Sequence, residues 1–230
     1  MSLTGMIGAM DLEMEKLIGL LDANESRVIS GITFHRGMLF GREVVLAVCG
    51  VGKCFAALCA QTMILTYHPD CVINIGVAGS LTKELSVGDI AVASDVVQYD
   101  MDTSAVGDPV GMISGINLIN LPCSPALGER LCTAAAKNGI KAVTGTIATG
   151  DCFLASWERK HQIGDQFHAI ACEMEGGGIA QACYVNGVDC IVLRSISDSV
   201  DGGCEDYEQF KHLAAEHSAT VLEAFLAGRE

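Results

Sequence analysis

The feature that most constrains the fold of this sequence is the alternation of short apolar runs with segments of helical periodicity. The apolar runs predict strands over residues 5–9, 28–34, 44–49, 71–76, 89–93, 142–149, 168–172 and 190–195. Helices are predicted over residues 12–21, 53–67, 125–138, 157–163, 179–185 and 207–226. Several runs are apolar on both faces, as in strands that helices cover on both sides. The pattern predicts an α/β sandwich with a largely parallel sheet.

No segment has the composition of a linker between domains. The chain has only four prolines, and its glycines are scattered apart from a run of three at residues 176–178. We therefore expect residues 1–230 to form a single domain, of which residues 1–3 could be a cloning remnant. We see neither a signal peptide nor an apolar run near the roughly 20 residues of a membrane span.

Charge and cysteine content restrict the partners and the compartment. Fourteen Lys and Arg against 28 Asp and Glu give a net charge of −14, which argues against binding to nucleic acid or to an anionic membrane. The 11 cysteines form no Cys-x-x-Cys motif, and most lie in apolar runs, such as Cys49, Cys71 and Cys190. They are typical of buried, reduced thiols in a cytoplasmic protein, not of disulfides or a zinc site.

Polar and charged side chains follow four of the predicted strands. In open α/β sheets, ligands bind beyond the carboxyl ends of the strands. The segments at these ends are residues 10–13, 149–154, 173–175 and 194–198. Glycine-rich turns at residues 50–52 and 76–79 would let the backbone approach a ligand closely. We expect carboxylates, an aromatic ring and one arginine to meet in one crevice.

Structural explanations exist for the same residues. Glu13 could favour the positive end of a helix dipole, and Asp198 could cap a turn. Arg194 at the end of an apolar strand needs a carboxylate partner if it is buried, and Glu13 or Glu175 could provide it.

Three other kinds of site are excluded by spacing. Residues 50–53 resemble a phosphate-binding loop, but Ala47 and Cys54 stand where that motif requires Gly and Ser or Thr. His212 and His217 are too far apart to share a helical face as metal ligands. No G-x-S-x-G nucleophile motif occurs. Acid–base chemistry by carboxylates is what remains.

Six segments in this order resemble the 5′-methylthioadenosine/S-adenosylhomocysteine nucleosidases of the nucleoside phosphorylase superfamily. The resemblance extends from about residue 6 to about residue 225. The segments are residues 6–13, 74–79, 87–90, 149–153, 173–175 and 194–198.

The resemblance implies a three-layer α/β sandwich with a central twisted mixed sheet flanked by helices. It also implies hydrolysis of an N-glycosidic bond to adenine by a homodimer, without a metal or an organic cofactor. Glu13 would activate water at C1′, Asp198 would protonate adenine N7, and Arg194 would orient the water and its base. The chemistry needs both groups, since the transition state resembles an oxocarbenium ion and adenine is a poor leaving group.

The same resemblance implies the binding residues. Glu175 would bind the ribose hydroxyls, and Met174 would pack on the sugar. Phe153 would stack on the purine, the Leu154 backbone would meet its Watson–Crick edge, and Tyr207 would close over the base. Further substrate contacts are implied for Met10, Val77, Ala78, Gly79, Glu173 and Ser197.

The first loop favours water over phosphate as the attacking group. It carries Asp11, Glu13 and Glu15 and no arginine, so that phosphate would meet like charge, although Arg36 or Arg42 could approach in the fold. The alternatives are a nucleosidase for another purine nucleoside such as futalosine, a purine nucleoside phosphorylase, and a non-enzymatic nucleoside-binding protein. Cleavage of AMP is less favoured, because its phosphate would need a basic pocket.

Three positions need an explanation from the structure. Val77 stands where relatives often have a hydroxyl residue, and Val106, in a loop resembling the family's partner-contacting segment, stands where an aromatic is common. The glycine run at residues 176–178 predicts either a late helix start or a loose pocket wall. Around Asp198 we expect a desolvated pocket that keeps the acid protonated.

Overall fold

The computed structural model describes residues 3–228 of the chain. Its strands are β1 (Leu3–Gly8), β2 (Asp22–Ile29), β3 (Ile32–Leu39), β4 (Arg42–Val48), β5 (Cys71–Ser80), β6 (Ile90–Gln98), β7 (Asn120–Pro122), β8 (Ala142–Thr149), β9 (Ala169–Glu173) and β10 (Asp189–Asp198). Its α-helices are α1 (Asp11–Gly19), α2 (Lys53–Tyr67), α3 (Pro125–Lys137), α4 (Trp157–Phe167), α5 (Gly176–Asn186) and α6 (Cys204–Leu226).

The strands form one mixed sheet, in the order β10-β6-β8-β9-β5-β1-β4-β3-β2, and the short β7 pairs with β6 outside this order. Pairs such as β1–β4, β1–β5 and β6–β8 are parallel, whereas β2–β3, β3–β4 and β5–β9 are antiparallel. Because β10 also pairs with β5, the strands β10, β6, β8, β9 and β5 form a closed circuit. Helix α2 packs on α5, and α6 packs on α1 and α3. The α/β sandwich with a mixed sheet is confirmed.

Strand β5 changes its partner along its length, and this change creates the opening for the site. Its first residues pair with β1 as far as Asn74. Its last two residues, Gly79 and Ser80, pair with β9 on that side. Residues 75–78 of this edge therefore have no neighbouring strand, although the other edge pairs with β10 throughout. Backbone groups of β5 are exposed to side chains at this gap.

The predicted strand over residues 28–34 is wrong, because the chain turns in its middle. Ser30 and Gly31 both have positive φ, 53° and 78°, as in the two-residue turns that join right-twisted hairpin strands. The turn connects β2 and β3. Strand β2 was missed upstream of Val28 because it is almost wholly exposed and polar, and β7 was missed because it has only three residues.

The glycine run is neither a late helix start nor a loose wall. Helix α5 begins at Gly176, and all three glycines are buried. A Cβ on Gly178 would lie 2.5 Å from the Lys53 carbonyl oxygen at the start of α2. A side chain cannot be accommodated there, so that the run serves close packing of α5 on α2.

Helix α2 has the predicted bounds, but several of its large apolar side chains, among them Phe55 and Leu58, lie on its outer face. These side chains are 56% and 59% exposed, and Leu65 is 61% exposed. The buried face consists of Ala56, Cys59, Ala60, Met63 and Ile64. None of the helices within residues 3–228 has the length and apolar character needed to cross a membrane.

Candidate active site

A cavity of about 330 Å³ opens at the carboxyl ends of β1, β5 and β10, a volume in the range of small-molecule sites. All the predicted site residues except Arg194 line it: Met10, Glu13, Val77, Ala78, Gly79, Phe153, Leu154, Glu173, Met174, Glu175, Ser197, Asp198 and Tyr207. Four further residues line the cavity, which are Ala9, Val51, Cys152 and Cys172. Val51 and Cys152 lie in segments predicted to border the crevice, whereas Ala9 and Cys172 were missed because they end predicted strands.

Glu13 is held by backbone donors from two strand ends. Its Oε2 accepts hydrogen bonds from the N–H groups of Ala9 and Met10, at 2.7 and 3.0 Å. Its Oε1 accepts one from Val77 N–H at 3.1 Å, in the gap of β5. A Cβ on Gly76 would lie 2.5 Å from Glu13 Oε1 and would also clash with Arg194. Glu13 thus satisfies donors at the start of α1 and still lines the cavity.

Burial has the largest effect on the protonation of Glu13. It raises the pKa of this carboxyl above its ordinary value, against the opposing effects of the Arg194 charge and of the backbone hydrogen bonds. The Arg194 charge lowers the pKa of Glu13, but burial outweighs it. A carboxylate with a raised pKa is a better proton acceptor, as a general base near neutral pH requires.

Arg194 lies behind the cavity wall and joins two of its acidic residues. Its Nη2 donates to Glu173 in a very short contact, to Glu175 at 3.5 Å and to Asn74 Oδ1 at 2.6 Å. The expected partner Glu175 is therefore present, but the closest carboxylate is Glu173, which the sequence argument had not considered. Glu13 interacts with Arg194 only through its charge.

Glu173 is a framework residue although it reaches the cavity wall. One carboxylate oxygen contacts Thr149 Oγ1. The other accepts from the N–H groups of Glu175 and Gly176, at 2.9 and 2.6 Å, at the start of α5. An anion is stabilised at this end of a helix. Its acceptors are used within the protein, and it orders the segment that carries Glu175.

Glu175 presents a carboxylate at the junction of α2 and α5. Its Oε1 accepts from Gly52 N–H at 2.8 Å, so the glycine turn at residues 50–52 brings its backbone to a carboxylate of the protein. Burial raises the pKa of Glu175 to about 7, with a counteracting contribution from Arg194 and a further rise from Glu173.

Asp198 is desolvated, as expected, but it lies beside a buried cation. It is 2% exposed, and a register shift after Ile196 in β10 places it opposite Gly79. Its Oδ2 accepts from Lys160 Nζ at 2.5 Å. Sequence reasoning missed Lys160, and its position in a polar helical segment gave no signal. The expected desolvated pocket therefore includes a buried cation beside the acid.

Two aromatic rings stand at the open side of the cavity. Phe153 and Tyr207 form an edge-to-face pair with centroids 5.3 Å apart, and the Tyr207 hydroxyl contacts Met10 Sδ at 3.5 Å. Phe153 is 42% exposed and lines the cavity, whereas Leu154 beside it is buried.

Within residues 3–228 the cavity lining contains no lysine or arginine. Neither distant arginine approaches it. Arg36 pairs with Glu43, and Arg42 donates to the Leu226 carbonyl. The first loop of the site is thus acidic without compensation at its surface, as its sequence suggested.

Comparison with known proteins identifies the family of this chain. The phosphorylase superfamily model matches residues 4–227, and the chain belongs to this superfamily, within the branch of the 5′-methylthioadenosine/S-adenosylhomocysteine nucleosidases. The nucleosidase of Shewanella halifaxensis is 34% identical over 224 residues, covering 96% of this chain and 97% of the relative.

Two solved structures illustrate the likeness in the fold. The Neisseria meningitidis 5′-methylthioadenosine/S-adenosylhomocysteine nucleosidase, in complex with methylthio-immucillin-A, has a TM-score of 0.94 at 30% identity, over 99% of this chain and all of the other. A futalosine hydrolase of Helicobacter pylori has a TM-score of 0.92 at 35% identity, over 99% and 98% of the two chains.

Proposed function

We propose that this chain is an N-glycosyl hydrolase that cleaves 5′-methylthioadenosine and S-adenosylhomocysteine and releases adenine. The observation that carries the proposal is the convergence of Glu13, Glu175 and Asp198 on one cavity. These carboxylates come from three separate parts of the chain. A protein that only binds nucleosides has no need for a basic carboxylate on one side of a cavity and a buried acid on another.

The proposed reaction uses two proton transfers at opposite ends of the scissile bond. Glu13 accepts a proton from water as the water oxygen bonds to C1′, and Asp198 donates a proton to adenine N7 as the C1′–N9 bond breaks. Adenine leaves as a neutral base, and the sugar keeps the hydroxyl group. Acid and base assistance of this kind contributes roughly 10²–10⁴-fold each, and anions near the sugar stabilise its oxocarbenium character.

The remaining residues bind the two halves of the nucleoside. We assign the ribose hydroxyls to Glu175, whose carboxylate is held by Gly52, and the sugar face to Met174. Phe153 stacks on the purine, Tyr207 closes over it, and the Leu154 backbone meets its polar edge. Arg194 is a positioning residue, since it orders Glu173 and Glu175 from behind the wall. No metal or organic cofactor enters this scheme.

Water is the proposed nucleophile because the lining offers nothing to hold phosphate. Within the described residues, that lining is acidic and free of lysine and arginine, so that a phosphate dianion beside Glu13 would be repelled. We expect the purified protein to release adenine from 5′-methylthioadenosine at the same rate in phosphate-free buffer and with added phosphate. The measurement is adenine formation by chromatography. A requirement for phosphate, with a sugar 1-phosphate as product, would make the chain a phosphorylase.

Futalosine hydrolysis is the second candidate, because a futalosine hydrolase is as similar in structure as the nucleosidases. Adenine or hypoxanthine release should be compared across methylthioadenosine, S-adenosylhomocysteine, 5′-deoxyadenosine and futalosine. A kcat/KM highest for futalosine would reassign the substrate, and binding without turnover of any of them would favour the non-enzymatic alternative.

The exposed face of α2 supports a homodimer. Phe55, Leu58 and Leu65 form an apolar stripe on it, and Val51, which lines the cavity, is 50% exposed just before the helix. Val185 on the neighbouring α5 is 61% exposed. Apolar surface of this kind usually marks an interface, and a second copy would cover it in an isologous contact. The loop carrying Val106, which is 82% exposed, would then lie where a partner could use it.

We expect light scattering to give twice the chain mass at micromolar concentration. The double variant F55E/L58E should be monomeric, because it places two charges in the apolar contact. Leu20→Glu, at an exposed apolar position after α1, is the matched control and should stay dimeric. A monomeric wild-type protein contradicts the proposal.

The free thiols fit a reducing compartment, and we place the protein in the cytoplasm.

A further inference from the structure

Lys160 is a charged residue with no exposed surface. It lies in α4, its side chain is 0% exposed, and its partner Asp198 is 3% exposed by the same measure. Desolvating an ammonium group is costly unless it is paired and hydrogen-bonded. The structure satisfies this condition with three oxygen acceptors, one of which belongs to the carboxyl of the proposed general acid.

All three protons of the Lys160 ammonium have acceptors. Besides Asp198 Oδ2 at 2.5 Å, Nζ donates to the carbonyls of Ser199 at 2.7 Å and Gly202 at 3.0 Å. An ammonium group has three donors and no acceptor, so this arrangement uses it fully. The two carbonyls belong to the turn between β10 and α6, which leads to Tyr207. Lys160 therefore ties the acid to the segment that carries the ring over the base.

We propose that Lys160 is a positioning residue that holds the Asp198 carboxyl toward the purine and stabilises the carboxylate that forms when the proton moves to N7. This inference rests on the proposed function. The proton itself comes from Asp198. Lys160 keeps its three protons throughout, and its fixed charge faces the negative charge that develops on Asp198.

The neighbouring Ser197 hydroxyl is compatible with both states of the acid. Its Oγ lies 3.2 Å from the Ala78 carbonyl oxygen and 2.8 Å from Asp198 Oδ1. A carbonyl only accepts, so that a hydroxyl donating to Ala78 can accept from a proton on Oδ1. After the transfer, the hydroxyl can turn and donate to the carboxylate. Since Oδ2 faces Lys160, the geometry assigns the transferable proton to Oδ1.

The test compares two leaving groups in Lys160→Met. Methylthioadenosine needs protonation at N7 before adenine can leave. The 5-methylthioriboside of p-nitrophenol instead releases p-nitrophenolate, a stable anion that needs no acid. We expect kcat for adenine release to fall by about 10- to 100-fold with KM changed by less than about 3-fold, and p-nitrophenol release to change by less than about 3-fold. Equal losses with both substrates would overturn the proposal, because a merely structural defect affects both.

The matched control is Lys141→Met. Lys141 also bonds a backbone carbonyl and lies near an aspartate, Glu84 O and Asp89 respectively, but at the surface away from the cavity. It should show wild-type rates with both substrates. Wild-type protein that releases no adenine would refute the proposed function, whereas an active wild type with an unaffected Lys160→Met refutes only the inference.

A double variant keeps the test valid if Lys160→Met does not fold. In K160M/D198N both charges are absent, so that no buried carboxylate is left without its partner. Adenine release by this variant should equal that of Asp198→Asn within about 3-fold, since Lys160 acts only through the acid. A further loss of about tenfold or more, in a variant with a cooperative thermal transition, would show an independent role and overturn the proposal.

Discussion

Replacing Asp198 with Asn is expected to lower kcat for adenine release by roughly 10²–10⁴-fold. The amide has the shape of the carboxyl but no acidic proton for N7, so that adenine must leave as a poorly stabilised anion. The fold should persist, because the amide oxygen can still accept from Lys160, whose other two acceptors are backbone carbonyls. Steady-state adenine release and circular dichroism melting measure the two effects.

Asp201→Asn is the matched control for this result. Asp201 is exposed, three residues further along the chain, and its Oδ1 lies 3.9 Å from His161 Nε2. It should retain wild-type turnover. Near-normal rates in Asp198→Asn would remove Asp198 as the acid and, with it, the chemical scheme proposed for the purine side of the cavity.

Replacing Glu13 with Gln is expected to cause a loss of similar size, roughly 10²–10⁴-fold in kcat. The amide cannot accept the proton of the attacking water. Glu13 receives three backbone N–H donors on its two oxygens, and an amide nitrogen in place of either oxygen would face a donor. We therefore expect the free energy of unfolding to fall by about 1–3 kcal/mol as well.

Glu15→Gln is the matched control for this substitution. Glu15 lies two residues further along α1 and is exposed, so that its loss should change neither rate nor stability.

The pH profile of the wild type provides an independent readout. Burial raises the pKa of Glu13 above its ordinary value and brings that of Glu175 to about 7. We therefore expect kcat/KM to decline as the pH falls and these carboxyls become protonated, with the protonation of Glu175 centred near pH 7. The absence of any decline on the acidic side would contradict an ionised carboxylate as the base.

Much of this site could be predicted because strand ends in an α/β sheet share one edge. The runs before Glu13, Glu175 and Asp198 are apolar, and a buried strand followed by acidic residues is a local signal. Lys160 has no such signal, since it lies in a helix among polar residues and its burial depends on the packing of α4 against the turn after β10. The pairing of Arg194 with Glu173 has no local signal either, because it depends on how the strands are assembled in the sheet.

The fold was predicted best where elements are buried. Helix α2 and strand β8 have the predicted bounds, because their ends are marked by glycine or by a change of periodicity. Strand β2 is almost entirely exposed, so that no apolar pattern could separate it from a loop. The glycines of α5 were misread because low helix propensity was weighed without knowledge of a neighbouring backbone.

The attachment of Glu13 has a consequence for how this site tolerates mutation. Its three anchors are main-chain amides of residues 9, 10 and 77, and every amino acid except proline supplies that group. Val77 can therefore replace a hydroxyl residue without disturbing the orientation of the Glu13 carboxylate. Substitutions at these three positions would change the shape of the cavity wall that meets the substrate. The Glu13 carboxylate oxygens would stay in the same place.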